Sequence, residues 1–186
     1  MNRSPASSAV PVMAVVLTCE VLVMAGFFSF PALIPTFVSE WHLSNAEAGW
    51  IAGIYFAGYV ASVLFLVRMT DQLDARLIFV ASTLVTAVAW SGFAWLATGF
   101  WSALAFRFLG GVGFAGAYMP GLRVMLDRLH EKRHRLAVTL YMAGASLGGS
   151  ASFLLAGYVG SAFDWHAVFH VAAVAAFAAA LLIALF

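Results

Sequence analysis

Two ionisable side chains interrupt long apolar stretches of the sequence, and they are the first candidates for chemistry. Glu20 lies in one such stretch and Arg107 in another. A charge at the centre of a bilayer costs at least ~2.5–3.5 kcal/mol, so residues of this kind usually face a protein interior or a watery cavity. Glu20 is therefore predicted to be a proton or substrate site, with Arg107 as its electrostatic partner. A structural ion pair between the two is the alternative.

Two other motifs have the spacing of hydrolytic sites but lie in unsuitable surroundings. His130 and His134 fit the zinc-protease pattern His-Glu-x-x-His, yet the Arg and Lys residues around them disfavour a cation. Ser146 is central to a Gly-x-Ser-x-Gly motif, which needs a strand-to-helix elbow, but it falls in an apolar helical stretch. The candidate bases His166 and His170 are predicted to lie roughly 30 Å from this serine in depth. We expect no enzyme activity, no metal and no cofactor.

The composition requires an apolar solvent for most of the chain. Of the 186 residues, 64% are hydrophobic and 9% are charged. Soluble domains carry about 25% charged residues, because they present a surface to water. A helix that crosses a bilayer needs roughly 20 apolar residues, so about six spans with short loops account for the whole chain. The expected fold is all-α and membrane-embedded, with the lipid bilayer as partner and no nucleic acid.

Short polar segments separate the apolar stretches. The spans are predicted at residues 11–38, 48–67, 77–97, 100–122, 136–162 and 167–186. They must be helices, because open strands leave backbone groups unpaired in lipid. Ser44 and Glu47 have the spacing of a capping box, which marks the start of the second span.

The charges of the loops predict the orientation. Basic loop residues occur between spans 2 and 3 and between spans 4 and 5, whereas the other three loops contain no Lys or Arg. Those three loops carry Glu40, Glu47 and Asp164 instead. Because basic loops stay in the cytoplasm, both ends of the chain are predicted to be cytoplasmic.

Small residues recur at helical spacing in three spans, where they let helix backbones approach closely in lipid. The positions are Gly49 and Gly53 in span 2, Gly110, Gly111 and Gly113 in span 4, and Gly144 and Gly148 in span 5. Pro120 lacks a backbone N–H and can kink span 4. These helices are expected to pack tightly against their neighbours.

Two segments of the sequence, one in span 4 and one between spans 2 and 3, resemble signature motifs of the major facilitator superfamily of secondary transporters. In the helix-4 signature of this family an Arg is followed four residues later by Gly, as in Arg107 and Gly111, and Gly113 continues the pattern. The family loop between helices 2 and 3 reads Gly-x-x-x-Asp-Arg-x-Gly-Arg-Arg, of which Asp71 and the final Arg76 are present. The resemblance covers the whole chain and is to the N-terminal six-helix half of the family fold.

The resemblance implies an organisation as well as a fold. Residues 1–186 would form one six-helix domain, with an inverted repeat of three helices at 11–97 and three at 100–186. A second six-helix half, either a missing C-terminal part or another chain, would be its partner. Asp71 and Arg76 would belong to a cytoplasmic gating loop, and the location would be a bacterial inner membrane.

The implied function is transport of a small solute by alternating access, with or without proton coupling. Spans 1, 2, 4 and 5 would carry the pathway, and their polar or amphipathic residues are Glu20, Arg107, Tyr55, Tyr59, Tyr118 and Tyr141. Span 5 has no proline of the antiporter signature, so a symporter or uniporter is expected. Span 6 ends at Phe186 without a basic tail, which favours a truncated or half-size transporter. A membrane scaffold that keeps the half-fold without transport is the alternative.

Overall fold

The computed structural model describes residues 5–69 and 72–186, and all regular structure within these ranges is helical. The α-helices are α1 Pro5–Met24, α2 Ser29–Ala32, α3 Ile34–Glu40, α4 Asn45–Met69, α5 Ala75–Leu96, α6 Phe100–Leu126, α7 His134–Ala162 and α8 Trp165–Leu185, with a 3₁₀ turn at Glu131–Arg133. Among the described residues, five helices, α4 to α8, are long and apolar enough to cross a membrane, and the apolar part of α1, Ala9–Met24, is shorter. The prediction of an all-helical membrane protein is confirmed.

Polar side chains at the predicted positions start two of the long helices. The backbone N–H of Ser44 donates to Glu47 Oε2 at 2.8 Å, and the N–H of Glu47 donates to Ser44 Oγ at 3.3 Å. At the start of α8, Asp164 Oδ1 accepts from the N–H of Ala167 at 2.8 Å. Such side chains satisfy amides that have no partner within the helix. The capping box predicted at the start of span 2 is thus confirmed.

The first predicted span, 11–38, is not a single helix. Helix α1 ends at Met24, residues 25–28 form turns, and α2 and α3 follow. Pro35 lies in the first turn of α3, where its missing N–H costs no helical bond, so it favours a new helix start at this point. The earlier break at 25–28 precedes both prolines of this segment, Pro31 and Pro35, and therefore needs another cause.

The described helices pack around an aromatic core. Helix α5 lies against both α6 and α8, α4 lies on α6, and α1 contacts α6, α7 and α8. Phe93 of α5 stacks on Phe169 of α8 with ring centroids 4.0 Å apart, and Phe37 of α3 stacks on Phe30 of α2 at 4.9 Å. Helices α4 and α7 have the smallest buried share, and they therefore present the most surface to their surroundings.

Some glycines lie at these helix contacts and others do not. A methyl group at Gly111 would collide with the backbone of Tyr55, so α6 and α4 touch along their main chains. A methyl group at Gly148 would lie 2.9 Å from Met24 Cβ, which brings α7 onto α1. Gly49 and Gly53 have no neighbouring atom within 4 Å in the described part of the chain. The spacing of small residues is thus the same at helix contacts and on an open face of α4.

Candidate functional site

The Glu20 carboxyl group of α1 is buried in the helix bundle, with the residue 3% exposed. It borders a cavity of about 10 Å³ whose other walls are Val23, Phe79, Phe114, Ala117, Tyr118 and Tyr141. Among the described residues, neither carboxylate oxygen of Glu20 has a hydrogen-bond partner. The cavity has about the volume that a single water molecule needs. Burying an unpaired carboxylate is costly, and a bound proton would remove much of that cost.

The tyrosines beside Glu20 use their hydroxyl groups elsewhere. The hydroxyl of Tyr141 donates to the Tyr118 carbonyl at 2.7 Å, and the hydroxyl of Tyr118 donates to Met142 Sδ at 3.4 Å. These two rings, with centroids 5.6 Å apart, shape the cavity without neutralising the carboxylate. The Glu20 carboxylate thus receives no hydrogen bond from either tyrosine in the described part of the chain.

Gly144 on α7 makes the room that the Glu20 carboxylate occupies. A methyl group at this position would lie 2.7 Å from Glu20 Oε2 and 3.4 Å from Leu17 Cδ2. A contact of 2.7 Å is too short for a Cβ, so a larger residue would force the carboxylate or α7 to move.

Gly144→Ala is therefore expected to be less stable than Gly157→Ala by about 1 kcal/mol, the low end of the usual cost of overpacking, because the end of the flexible Glu20 side chain can shift. The measurement is thermal unfolding in detergent. Gly157→Ala on the same helix is the matched control, because a methyl group there would meet no described atom within 4 Å beyond the adjacent turns of α7. Glu20→Ala combined with Gly144→Ala should recover most of the loss. An equal loss in both single glycine variants would contradict the steric explanation.

Arg107 of α6 is held in a cage of aromatic rings. The residue is 1% exposed, and its Nε donates to the Ile51 carbonyl at 3.4 Å. The guanidinium carbon lies 4.5 Å from the ring centroid of Tyr55, 5.6 Å from that of Trp90 and 5.7 Å from that of Phe30. A cation within about 6 Å of a ring face is attracted by the ring quadrupole. Aromatic faces thus replace the anion that a buried guanidinium usually pairs with.

Glu20 and Arg107 do not meet. Both oxygens of Glu20 and Nη1 of Arg107 are without hydrogen-bond partners in the described residues, and these two side chains form no ion pair. This arrangement contradicts a structural ion pair between α1 and α6, and it also leaves the predicted electrostatic partnership of Arg107 with Glu20 without a direct contact. The structure leaves one acidic and one basic group separately buried, each with hydrogen-bonding capacity unused.

A larger pocket of about 240 Å³ lies between the end of α1 and helices α4 and α6. Its walls are almost entirely aromatic: Met24, Phe27, Tyr55, Phe56, Tyr59, Phe114 and Tyr118. Phe114 and Tyr118 also border the Glu20 cavity, and the Tyr55 ring is the one nearest the Arg107 guanidinium. The pocket therefore lies next to both buried charges.

The predicted pathway residues divide between the two spaces. Tyr55 and Tyr59 line the aromatic pocket, Glu20 and Tyr141 line the small cavity, and Tyr118 lines both. Arg107 lines neither and lies against the Tyr55 ring. Sequence reasoning did not identify the phenylalanines of the pocket. A phenylalanine at a pocket has no signal that separates it from a phenylalanine of the core, because both are apolar residues at helical spacing.

The loop between α4 and α5 is described only in part. Asp71, predicted for the gating loop, lies outside the described residues. Arg76 donates from Nε to the Ile183 carbonyl at 2.9 Å and from Nη2 to the Ala184 carbonyl. A basic side chain at this position caps the carbonyls at the end of α8 and complements the helix dipole. The contact ties the start of α5 to the end of α8.

The His-Glu-x-x-His segment has a local structural role. Its three middle residues form the 3₁₀ turn, and His134 Nε2 lies 3.1 Å from the Leu126 carbonyl and 3.0 Å from the Leu129 carbonyl. The His134 ring thus holds the carbonyls at the end of α6. No group of three His, Cys, Asp or Glu side chains able to hold a metal occurs in the described part of the chain.

The sequence model of the Major Facilitator Superfamily matches residues 16–186. The chain belongs to this superfamily. Its relatives include the niacin transporter NiaP of Acinetobacter baylyi, 26% identical over 137 residues, and the gentisate transporter of Corynebacterium glutamicum, 30% identical over 118 residues. The 4-hydroxybenzoate transporter PcaK of Acinetobacter baylyi is 26% identical over 143 residues.

These matches cover most of this superfamily member but only part of each relative. They span 74%, 63% and 74% of the chain and 31%, 26% and 30% of the three relatives, in the order given above. The chain thus spans about a third of the length of the curated relatives it matches. Superfamily membership, together with the long apolar helices, makes it an integral multi-pass membrane protein.

Proposed function

We propose that the chain forms part of a transporter that moves a small aromatic carboxylate by alternating access. The observation that carries this proposal is the 240 Å³ aromatic pocket, which is lined by Tyr55, the ring that lies 4.5 Å from the buried Arg107 cation. Aromatic walls suit a planar ring, because rings stack or meet edge to face. A cation in a low-dielectric interior attracts a carboxylate over a longer range than it would in water.

The names of the relatives support the same solute class. Niacin, gentisate and 4-hydroxybenzoate, the compounds named for the three relatives, are all small aromatic rings that bear a carboxylate. A pocket lined by aromatic rings next to a buried cation suits both the ring and the carboxylate of such a molecule.

We further propose that Glu20 is the proton site of a symporter. Its carboxyl group is buried and unpaired among the described residues, and its cavity shares Phe114 and Tyr118 with the aromatic pocket. A solute in the pocket and a proton on Glu20 would be close enough to influence each other. Inward movement of an acid with a proton would also reduce the net charge carried across the membrane.

The wider organisation remains a proposal: six spans in two repeats, 11–97 and 100–186, with both ends cytoplasmic in a bacterial inner membrane. Helices α1 to α3 together would make the first span. A second six-helix half would complete the pathway. The open face of α4, with its small residues Gly49, Gly53, Ala57 and Ala61 exposed, is suited to close contact with another helix.

The test measures binding and uptake for a panel of compounds that distinguishes the contribution of the aromatic ring from that of the carboxylate charge. Purified protein in nanodiscs or proteoliposomes is offered nicotinate, 4-hydroxybenzoate and gentisate, with cyclohexanecarboxylate and benzyl alcohol as controls. Tryptophan fluorescence reports binding, because Trp90 stacks on Tyr55 with ring centroids 6.0 Å apart. Aromatic acids should bind at least about tenfold more tightly than either control. Absence of both binding and uptake for the whole panel would contradict the proposal and favour the scaffold.

A further inference from the structure

The first span is interrupted at residues 25–28, inside the helix bundle. A helical backbone would pair the Phe28 N–H with the Met24 carbonyl and the Ser29 N–H with the Ala25 carbonyl. Instead, the Met24 carbonyl accepts from the Phe27 N–H at 2.9 Å, and the Ser29 N–H is 3.4 Å from the Gly26 carbonyl. Backbone groups freed in this way within a membrane must find partners in the protein.

Two side chains supply those partners. The Ser29 hydroxyl donates to the Ala25 carbonyl at 3.2 Å, and Ser152 of α7 bonds to both ends of the break. The Ser152 hydroxyl donates to the Ala25 carbonyl at 2.8 Å and accepts from the Phe28 N–H at 3.1 Å. A serine hydroxyl has one donor and can accept at the same time, so one group can satisfy both ends of the break. Ser152 is 1% exposed, so its hydroxyl is shielded from the surroundings. Insertion of a side chain into the helical ladder is a recognised cause of a break.

The two hydrogen bonds from Ser152 to Ala25 and Phe28 form a clasp around the break, and Phe27, which lies within this clasp, belongs to the aromatic pocket. Phe27 lies between Ala25 and Phe28, and its ring centroid is 5.1 Å from that of Phe114 and 5.3 Å from that of Tyr55. The next ring, Phe28, rests on α7, where a methyl group at Gly149 would lie 3.1 Å from it. Helix α7 thus fixes the backbone on both sides of Phe27, although Ser152 itself does not line the pocket.

We propose that Ser152 is a positioning residue for the solute pocket: its two hydrogen bonds set the backbone at 25–28 and so the place of the Phe27 ring. This inference rests on the proposed function, because it concerns the fit of a planar solute. It assigns the break in the first span to a defined hydroxyl group. It also makes the contact between α1 and α7 part of solute recognition.

The test compares Ser152→Ala with Ser161→Ala, measuring 4-hydroxybenzoate and nicotinate binding and transport. Ser161 is a matched control, because it lies on the same helix and its exposed hydroxyl bonds only to the Tyr158 carbonyl within α7. Loss of the Ser152 hydroxyl leaves the Phe28 N–H without its partner, and it should weaken binding and raise KM by about tenfold. The maximal rate should stay within about twofold, and Ser152→Thr should restore most of the affinity.

A double variant separates positioning from general destabilisation. Phe27→Leu should weaken aromatic solutes by a similar factor, and Ser152→Ala added to Phe27→Leu should cause little further loss, because both act through the same ring. Additive losses, or equal losses in Ser152→Ala and Ser161→Ala, would overturn the positioning role.

Amide hydrogen exchange tests the clasp without any solute. Exchange in the segment 25–29 should rise at least about tenfold in Ser152→Ala and stay unchanged in Ser161→Ala. Unchanged exchange in both variants would overturn the clasp. If the wild-type protein bound none of the aromatic acids, the proposed function would fail together with the role of Ser152 in recognition, while the exchange result would still decide the clasp.

Discussion

Glu20→Gln is expected to abolish the pH dependence of solute uptake and to reduce gradient-driven accumulation by at least about tenfold. The wild-type rate should rise as the external pH falls, because in the proposed symport a proton loads the buried carboxyl group before it moves with the solute. Glutamine has nearly the same size but cannot exchange this proton. The measurement is uptake of 4-hydroxybenzoate into proteoliposomes at a series of external pH values, with and without an imposed proton gradient.

Exchange of labelled for unlabelled solute without a gradient should survive in Glu20→Gln, since that process needs no net proton movement. The folded protein should be no less stable than the wild type, because the substitution removes a buried carboxyl group that has no hydrogen-bond partner among the described residues. Glu131→Gln, in the exposed turn before α7, is the matched control and should behave like the wild type. A variant at Glu20 that keeps the wild-type pH profile would show that the carboxyl group is not the proton site.

Arg107→Gln is expected to weaken nicotinate binding far more than nicotinamide binding. The two solutes share one ring and differ in a charged carboxylate against a neutral amide. Unit charges about 10 Å apart attract by about 1.7 kcal/mol at an effective dielectric constant of about 20. That energy corresponds to roughly 20-fold in affinity. Direct binding to the purified protein, followed by tryptophan fluorescence, measures the difference between the two ligands.

Arg107→Lys separates the charge from the shape of the side chain. Lysine keeps the cation but lacks the planar guanidinium that lies against Tyr55, Trp90 and Phe30. It should preserve the preference for nicotinate over nicotinamide while lowering the affinity for both, because the aromatic cage is less well filled. Equal losses for the two solutes in Arg107→Gln would show that Arg107 acts through packing alone.

Features that depend on neighbouring residues in the chain could be predicted from the sequence. The low share of charged residues requires a membrane, because too few polar groups exist to cover a surface facing water. Ser44 and Glu47 mark the start of α4, because a capping box involves residues only three positions apart. Glu20 and Arg107 could be identified as buried for a similar reason, since each interrupts a long apolar stretch.

The contacts between residues of different helices could not be predicted from the sequence. The depth of Glu20 and Arg107 in their spans left an ion pair open, whereas packing turned Arg107 towards three rings and left Glu20 against Gly144. Equal spacing of glycines in α4 and α7 also gave no indication that Gly53 is open and Gly148 is in contact. The rotation of each helix about its axis decides these contacts, and one sequence does not reveal it.

The two buried charges illustrate the difference between what the sequence determines and what packing determines. The sequence alone determined that the chain is a helical membrane protein with an acidic and a basic group inside its spans, because hydropathy and charge are properties of individual residues. Only the tertiary structure decided that these groups stay apart and that an aromatic pocket lies beside them. It alone showed Ser152 of α7 bonded to both sides of the break at 25–28. The physical reason is that these contacts join residues on different helices, with up to 127 positions between Ala25 and Ser152, and packing alone brings such residues together.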